Sequence, residues 1–591
     1  MKKILHDPIF LPREMGKSKV ISLKEAVSRF VKPGMTIHTC QTCIRWTSAI
    51  YHEIARQFWG QDTNITLAGV SMNFPQAILV HGKIVNKLIT SYFGDPYFVP
   101  SPNRVFQRAY KNGELEIEHW SIYTIGLRMQ AAAMNLPFLP THSLMGSSME
   151  QDNKDDIIVM DDPLRKGEKI ALVKALQPDL TVAHAWLADS EGNSVFLPPM
   201  AENVKGAMAS KEGVLLTAEK IVPTETLRKY SNLVKIPGIY VKSVSEVPFG
   251  SHPSGLSQVG MDDFSWYSED YQFVEEAHQS CKEEETFQKW IDKWVFSCED
   301  HSDYLAKLGH NRIKQLTGQS DPTSWQVNFE AVNKVSQSKK STPLEMAMIV
   351  MARILESRVK EHKYTTLLAG AGIANLASWV CYYKLKEEGH PLNLMAEIGL
   401  YGYDPCPTEP ILFNTSNFAT CKAAIDIPTI MGFIVGGIKE NCIGALGAAQ
   451  VDKHGNLNST KVDEKTVMVG SGGANDVCST ASDVVIIVPQ TKGRLLNDVY
   501  YITSPGKNVK TIVTTMGVFE KIGDDDKFTL TGYFESKTDD RETIIEEFKN
   551  NSSWSFNVDD NLKKIEHPTE KELKMLRIFD PDRHYLGPVA D

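Results

Sequence analysis

Residues 22 to 69 read SLKEAVSRFVKPGMTIHTCQTCIRWTSAIYHEIARQFWGQDTNITLAG, and the alternation of two hydrophobic periods within them sets the fold class. Leu23 to Phe30 and Thr47 to Phe58 repeat apolar residues at three- and four-residue spacing, the pattern of a helix with one buried stripe. Met35 to His38 and Ile65 to Gly69 are short β-branched runs, the pattern of strands. Helix, strand, helix, strand in this order is the α/β signature, with mostly parallel strands buried between helices. The alternation continues through a helix at Leu127 to Met134 and a strand at Leu180 to Ala185.

Farther along, Gly318 to Thr342 is polar, aperiodic and interrupted by Pro322, the composition of a linker. A helical pattern resumes at Leu344 to Leu355, and Thr365 to Leu368 followed by Gly370 opens a second strand-and-loop series. A chain of 591 residues exceeds what one core serves. The expected division is residues 1–317, a linker over 318–341, and 342–591. The halves echo each other: Asp189-Ser190-Glu191-Gly192-Asn193 and Asp452-Lys453-His454-Gly455-Asn456 share a D-x-x-G-N turn, whose residues suit left-handed backbone and local hydrogen bonding. Two similar open α/β domains with a site between them are the predicted architecture.

Hydrophobic residues make up 42% and charged residues 23% of the chain, the composition of a folded globular protein. With 63 basic against 73 acidic residues and a net charge of -10, nucleic acid is not an expected partner. Asp7, Pro8 and Pro12 interrupt the start before a signal-peptide core develops, and no apolar run is long enough for a bilayer, so neither a membrane nor export is expected. The cytoplasm is the expected compartment. Nine scattered cysteines fit reduced thiols. The tight pair Cys40 and Cys43 lacks a second ligand pair, so it reads as two buried thiols rather than a metal or redox site.

Three segments bear on chemistry. Asn393 to Ala396 is an apolar run ending in Glu397, with Gly399 and Gly402 behind it. At the carboxyl end of a strand such a carboxylate can act as nucleophile, and its ordinary alternative is an exposed strand-end glutamate. Val469 to Asp476 packs three glycines into a turn whose amides can converge on an anion, and Leu368 to Asn375 is similar in character. Neither fits a dinucleotide fingerprint or a P-loop, which argues against a nicotinamide-dependent oxidoreductase. His252, in a turn-rich segment, reads equally as a catalytic or a structural histidine.

In their order these segments resemble the two subunits of glutaconate CoA-transferase, a family I CoA-transferase, joined in one chain. The first half resembles one subunit through Gly113 to Ser121, Leu136 to Pro140, Gly146 to Ser148, Gly250 to Ser254 and Lys307 to Gly309. The second resembles the other through Glu397, Gly447 to Thr460, Gly470 to Asn475 and Thr503 to Gly506. The resemblance implies the family I fold and a CoA-transferase that moves CoA between an acyl-CoA and a small carboxylic acid, with Glu397 as the acyl-accepting carboxylate. It implies no cofactor beyond the coenzyme A thioester that is its substrate, and a homo-oligomer. By position it implies that Gly370, Gly372, Gly470, Gly472, Gly473 and Asn475 bind the oxyanion or CoA, and that Gln41, Ser91, Tyr92, Arg104 and His119 line a substrate pocket. The family's first glycine-rich loop falls at His38 to Arg45 without glycine, and Ser91 to Tyr97 is bulkier than in the family, which points away from glutaconate as substrate. Acyl-CoA hydrolysis, including C–C ring opening, and decarboxylation stand as alternatives on the same fold. A non-catalytic CoA-binding protein is the alternative of another class.

Overall fold

The first helix, Leu23–Phe30, begins where the Glu25 amide donates to the Ser22 hydroxyl at 3.2 Å, and it buries Ala26 and Val27. From there the computed structural model describes residues 17–97, 99–256, 260–261, 263–320, 335–407, 409–438, 441–523, 527–534 and 540–589. The start of the chain and most of the expected linker, residues 1–16 and 321–334, lie outside the described residues.

Seven parallel strands form the centre of the first sheet, in the order Val241–Glu246, Val214–Ile221, Leu180–Ala188, Thr36–Cys40, Ile65–Met72, Val85–Asp95, Glu116–His119. Leu180–Ala188 is buried at every position, which a strand covered on both faces requires. The second sheet repeats the plan with parallel strands Asn393–Ala396, Thr366–Ala369, Cys442–Gly447, Asp483–Val488 and Val509–Thr514. Antiparallel strands Leu400–Tyr401 and Gly517–Lys521 flank it.

In each sheet the chain starts near the middle and then runs to both sides. Thr36–Cys40 lies between Ile65–Met72 and Leu180–Ala188, and Thr366–Ala369 lies between Asn393–Ala396 and Cys442–Gly447. The loops after these first strands, at residues 41–47 and 370–372, therefore sit at topological switch points, where open α/β sheets take their ligands.

The D-x-x-G-N turns fold alike. Asp189 accepts the amides of Glu191 and Asn193 at 3.1 and 2.9 Å, and Asp452 those of His454 and Asn456 at 2.9 and 3.0 Å. Each Asn then accepts a distant glycine amide, Gly238 to Asn193 at 2.9 Å and Gly506 to Asn456 at 2.8 Å.

Several elements outrun their sequence patterns. Ile65–Met72 and Leu180–Ala188 continue as strands past the β-branched runs. The helix expected from Leu127 starts at Ile122, because Ser121 caps it and exchanges hydrogen bonds with Thr124 in a capping box. Arg577 donates to the carbonyls of Ser336, Ser338 and Lys340 at 3.1, 2.6 and 2.9 Å, which ties the end of the expected linker to the second half.

The halves share one core. Ala68, Val70, Ile122 and Ile125 of the first pack in one buried cluster with Leu368, Met395, Ile430 and Met431 of the second. A three-stranded antiparallel sheet, Phe138–Thr141, Lys169–Lys174 and Ile157–Asp161, presents Ile157, Ala171 and Val173 to the same cluster, beside helix Ile122–Ala133. Among the described residues no helix is long and apolar enough to cross a membrane.

Candidate active site

Glu397 is the first residue of the turn between Asn393–Ala396 and Leu400–Tyr401, where Ala396 pairs with Leu400 and the Gly399 amide donates to the Ala396 carbonyl at 3.1 Å. Gly399 has φ +127°, and a Cβ there would stand 2.6 Å from the Ile425 carbonyl oxygen, so the tightness of this turn depends on glycine. The side chain that the turn presents is met by a backbone donor: the Gly473 amide donates to Glu397 Oε2 at 3.1 Å.

The glycine-rich loop that supplies this amide is stitched to the first half. Phe93 donates its amide to the Val469 carbonyl at 2.9 Å, and the Ser91 hydroxyl donates to the Gly472 carbonyl at 3.0 Å. The Gly472 amide donates back to the Ser91 carbonyl at 3.3 Å, and the Ile122 amide to the Gly472 carbonyl at 3.3 Å. This approach leaves no room for side chains: a Cβ at Gly470 would stand 2.2 Å from the Ser91 carbonyl oxygen, and one at Gly473 would stand 2.2 Å from Glu397 Oε2. Glycine at 473 is what lets the carboxylate lie on the backbone.

Part of the Glu397 surface meets solvent, yet protein surrounds it on nearly every side, and this loss of hydration raises its pKa to about 7. The negative charge of Asp476 adds to the rise, and the Gly473 amide opposes it. Asp476 is itself buried, with its pKa raised to about 6 by burial. It accepts the Ser121 hydroxyl at 2.6 Å and the Tyr123 amide at 3.2 Å, so a carboxylate of the second half caps helix Ile122–Ala133 of the first. A carboxyl group held near neutrality, one backbone donor already in place and a position at the junction of the two halves suit a covalent nucleophile.

The other residues singled out in the sequence fall in different places. Gly470, Gly472, Gly473, Ser91 and Tyr92 meet at the junction just described, with Tyr92 bridged to Gly470. Gly370 and Gly372 follow the strand beside Asn393–Ala396. The Gly370 amide is taken by the Ala445 carbonyl at 2.8 Å, while Gly372, at φ +99°, precedes helix Ile373–Glu387 and lies near Tyr585. Asn475 is a brace between the halves rather than a lining residue: it accepts the Leu144 amide and donates to the Thr503 carbonyl, both at 2.9 Å. Gln41 is buried in the first switch-point loop, where its Oε1 accepts the Tyr51 hydroxyl at 2.9 Å.

Arg104 does not reach the junction. It is exposed at the start of its helix and donates to Gln107 at 2.8 Å, because a long cation on a helix's outer face keeps its charge in water. His119 lies behind the junction, buried between Phe93 and Tyr501, and borders a separate cavity of about 540 Å³ with Asp152 and Lys461. Burial raises the Cys40 and Cys43 thiols to about 12, so both stay protonated. His252 is structural, with its ring held by the Tyr304 hydroxyl at 2.6 Å and Asp270 at 3.0 Å. Reading the sequence missed Asp476 as a partner of the nucleophile. Its one signal was its place at the end of the glycine-rich run.

Known proteins resemble this chain in sequence and in fold. A family profile described as Coenzyme A transferase matches residues 20–247 and 439–528. An uncharacterized protein of Archaeoglobus fulgidus is 31% identical over 308 residues, a match that covers 51% of this chain and 65% of that protein. One subunit of the glutaconate CoA-transferase of Acidaminococcus fermentans is 29% identical over 314 residues, covering 51% of this chain and 94% of the subunit. The other subunit of the same enzyme is 27% identical over 269 residues, covering 42% of this chain and 95% of the subunit. Among solved structures, an acyl-CoA transferase of Escherichia coli O157:H7 superposes with a TM-score of 0.64 over 98% of this chain and 99% of that one, at 16% identity, a likeness of fold.

Proposed function

We propose, since the chain belongs to the coenzyme A transferase family, that it moves coenzyme A from an acyl-CoA to a free carboxylic acid through covalent intermediates on Glu397. The observation that carries this reading is the carboxylate itself, enclosed at the junction of the halves with the Gly473 amide on one oxygen.

In the first step Glu397 attacks the thioester carbonyl of the donor, the carbon–sulfur bond breaks, and an acyl-glutamyl anhydride and CoA thiolate result. The thiolate then attacks the glutamyl carbonyl, which releases the donor's acid and leaves a glutamyl-CoA thioester. The acceptor carboxylate attacks that thioester and frees the thiolate again. Finally the thiolate attacks the acyl carbonyl of the new anhydride, and the product acyl-CoA leaves with Glu397 restored. Dividing the exchange in this way replaces one difficult step with easier ones.

Two of the four steps occur at the Glu397 carboxyl carbon, and there the developing oxyanion is the oxygen that already faces the Gly473 amide. For the two steps at the acyl carbon, the amides of Ala371 and Gly372 in the switch-point loop are the donors in this reading, because the Gly370 amide is held by the Ala445 carbonyl. The partners are an acyl-CoA and a small carboxylic acid. The enzyme works in the cytoplasm as a homo-oligomer.

The test is to incubate the enzyme with acyl-CoA donors, reduce with borohydride and map the peptides by mass. Reduction of the glutamyl-CoA thioester converts Glu397 to an alcohol. Full CoA exchange with an unmodified Glu397 peptide refutes the reading, and release of acid without exchange identifies a hydrolase instead.

A further inference from the structure

Glu269 and Glu409 are two carboxyl groups surrounded by protein, one from each half, and no cation pairs with either among the described residues. Glu269, just ahead of helix Tyr271–Ser280 in the first half, is 6% exposed and forms no hydrogen bond with another described residue. Glu409, in the second half, accepts the Tyr271 hydroxyl, which carries no charge. Burying charge without a partner is costly, so two such groups side by side point to a ligand that supplies the partner. Burial and the charge of Glu409 push the Glu269 carboxyl up to about 8, and burial pushes Glu409 up to about 7 while the Tyr271 hydrogen bond opposes it. Near neutral pH the pair therefore holds about one proton and one negative charge.

Aromatic rings stand beside the pair. Tyr97 is 3% exposed, and its ring meets that of Tyr271 edge to face with centroids 5.5 Å apart. The Tyr97 hydroxyl donates to the Cys43 carbonyl at 2.9 Å and the Tyr271 hydroxyl to Glu409, so both polar tips are engaged and the ring surfaces are what remain for a ligand. The group adjoins the nucleophile. Burial raises the pKa of Cys43, Tyr92 and Tyr97, and the charges that add to it trace the neighbourhood: Glu397 acts on Cys43 and Tyr92, and Glu269 and Glu409 act on Tyr97. Tyr585, beside Gly372 of the switch-point loop, acts on Tyr92 and Tyr97 alike.

We infer that the acyl group this enzyme transfers carries a cationic amine, which Glu269 and Glu409 receive between the halves beside the rings of Tyr97 and Tyr271.

One net negative charge calls for one positive charge, and aromatic faces attract the same kind of group. A hydroxyl or carbonyl on the acyl chain would leave the charge unpaired, and a second carboxylate, as in a dicarboxylic acid, would add to it.

The inference rests on the transfer reading above and names its substrate class. The experiment measures kcat/KM for acceptor acids, with the acyl-CoA donor that labels Glu397 in the borohydride experiment. The acceptors are ω-amino acids with two to five methylene groups, each paired with the fatty acid in which methyl replaces the ammonium, so that length is matched and charge differs. The expected result is that at the best length the amino acid exceeds its fatty-acid match at least about 30-fold. In a chain carrying both Glu269→Gln and Glu409→Gln, checked for fold by circular dichroism, that ratio should fall below one, since glutamine at 409 still accepts the Tyr271 hydroxyl while both charges are gone. A wild type in which no amino acid exceeds its fatty-acid match, or the ω-hydroxy acid of the same length, overturns the inference and leaves the transfer reading standing. A preference for the amino acid that survives in the double variant does the same, and the wild-type ratios decide alone if the variant does not fold. Labelling of Glu397 by no donor overturns the transfer reading, and this inference with it.

Discussion

Replacing Glu397 by glutamine should make the protein more stable while removing its activity, and the gain should grow with pH. Burial and Asp476 raise the Glu397 pKa from 4.5 to about 7. A carboxyl pKa raised by folding means that the folded chain holds its proton longer than the unfolded chain does. Below pH 4.5 both forms are protonated and the group contributes nothing. As pH climbs toward 7 the unfolded chain ionises while the folded one resists, so the wild type loses stability across that window. The full shift is worth on the order of 3 kcal/mol, of which about 2.5 kcal/mol develops between pH 5 and pH 8. Glutamine has the same shape, can still accept the Gly473 amide and does not titrate. With an unfolding entropy of about 2 cal/mol/K per residue, the melting temperature of Glu397→Gln should exceed that of the wild type by about 2 °C more at pH 8 than at pH 5. Scanning calorimetry of both proteins at the two pH values measures this. A gap that stays constant or narrows with pH would show that Glu397 is not enclosed as described, and the nucleophile's tuning would have to be explained otherwise.

The same titration should shape the kinetics, with kcat/KM falling about tenfold per pH unit below about 7 as the nucleophile is protonated. Asp476→Asn removes a neighbouring charge without touching substrate, and it should move the acid limb of that profile down by roughly half a unit to one unit; an unmoved limb would refute the coupling. Gly473→Ala places a methyl against Glu397 Oε2 and should cost about a hundredfold to a thousandfold in kcat, whereas Gly447→Ala, with open space around its Cβ, should leave turnover unchanged. Expressed as two polypeptides, residues 1–327 and 328–591, the chain should co-purify and exchange CoA, because the shared core and the contacts of Ser91 and Phe93 with the glycine loop do not need the connection. Separation of the pieces on a sizing column would count against that.

The fold was legible because its two periods are strong where burial is strong. The all-buried strand Leu180–Ala188 and the helix Leu23–Phe30 announce themselves by composition alone. Glu397 was singled out for a different reason, the resemblance to the family, since by pattern alone a carboxylate at a strand end is ordinarily an exposed one. Asp476 was not, because its importance lies in a charge that reaches Glu397 from the far end of the glycine-rich run, and such proximity leaves no periodic trace. Arg104 shows the opposite failure: the resemblance implied a pocket residue, but it stands exposed at the start of its helix. Asn475 adjoins the loop yet spends its side chain on Leu144 and Thr503, a use that only three-dimensional contacts disclose.

The matching strand orders of the two sheets also give Glu397 a counterpart. Its strand borders the first strand of the second sheet on the same side as Ile65–Met72 borders the first strand of the first sheet, so the residue that follows Met72 occupies the equivalent station. That residue is Asn73, fully buried, donating to the Gly94 carbonyl at 2.8 Å and closing the start of helix Phe74–His81. One sheet thus spends its strand end on anchoring a helix, and the other sets a carboxylate there against the Gly473 amide. The two near-equivalent lobes are therefore not interchangeable at this station, and a glutamate at position 73 would lose the amide that donates to Gly94 and disturb the start of helix Phe74–His81.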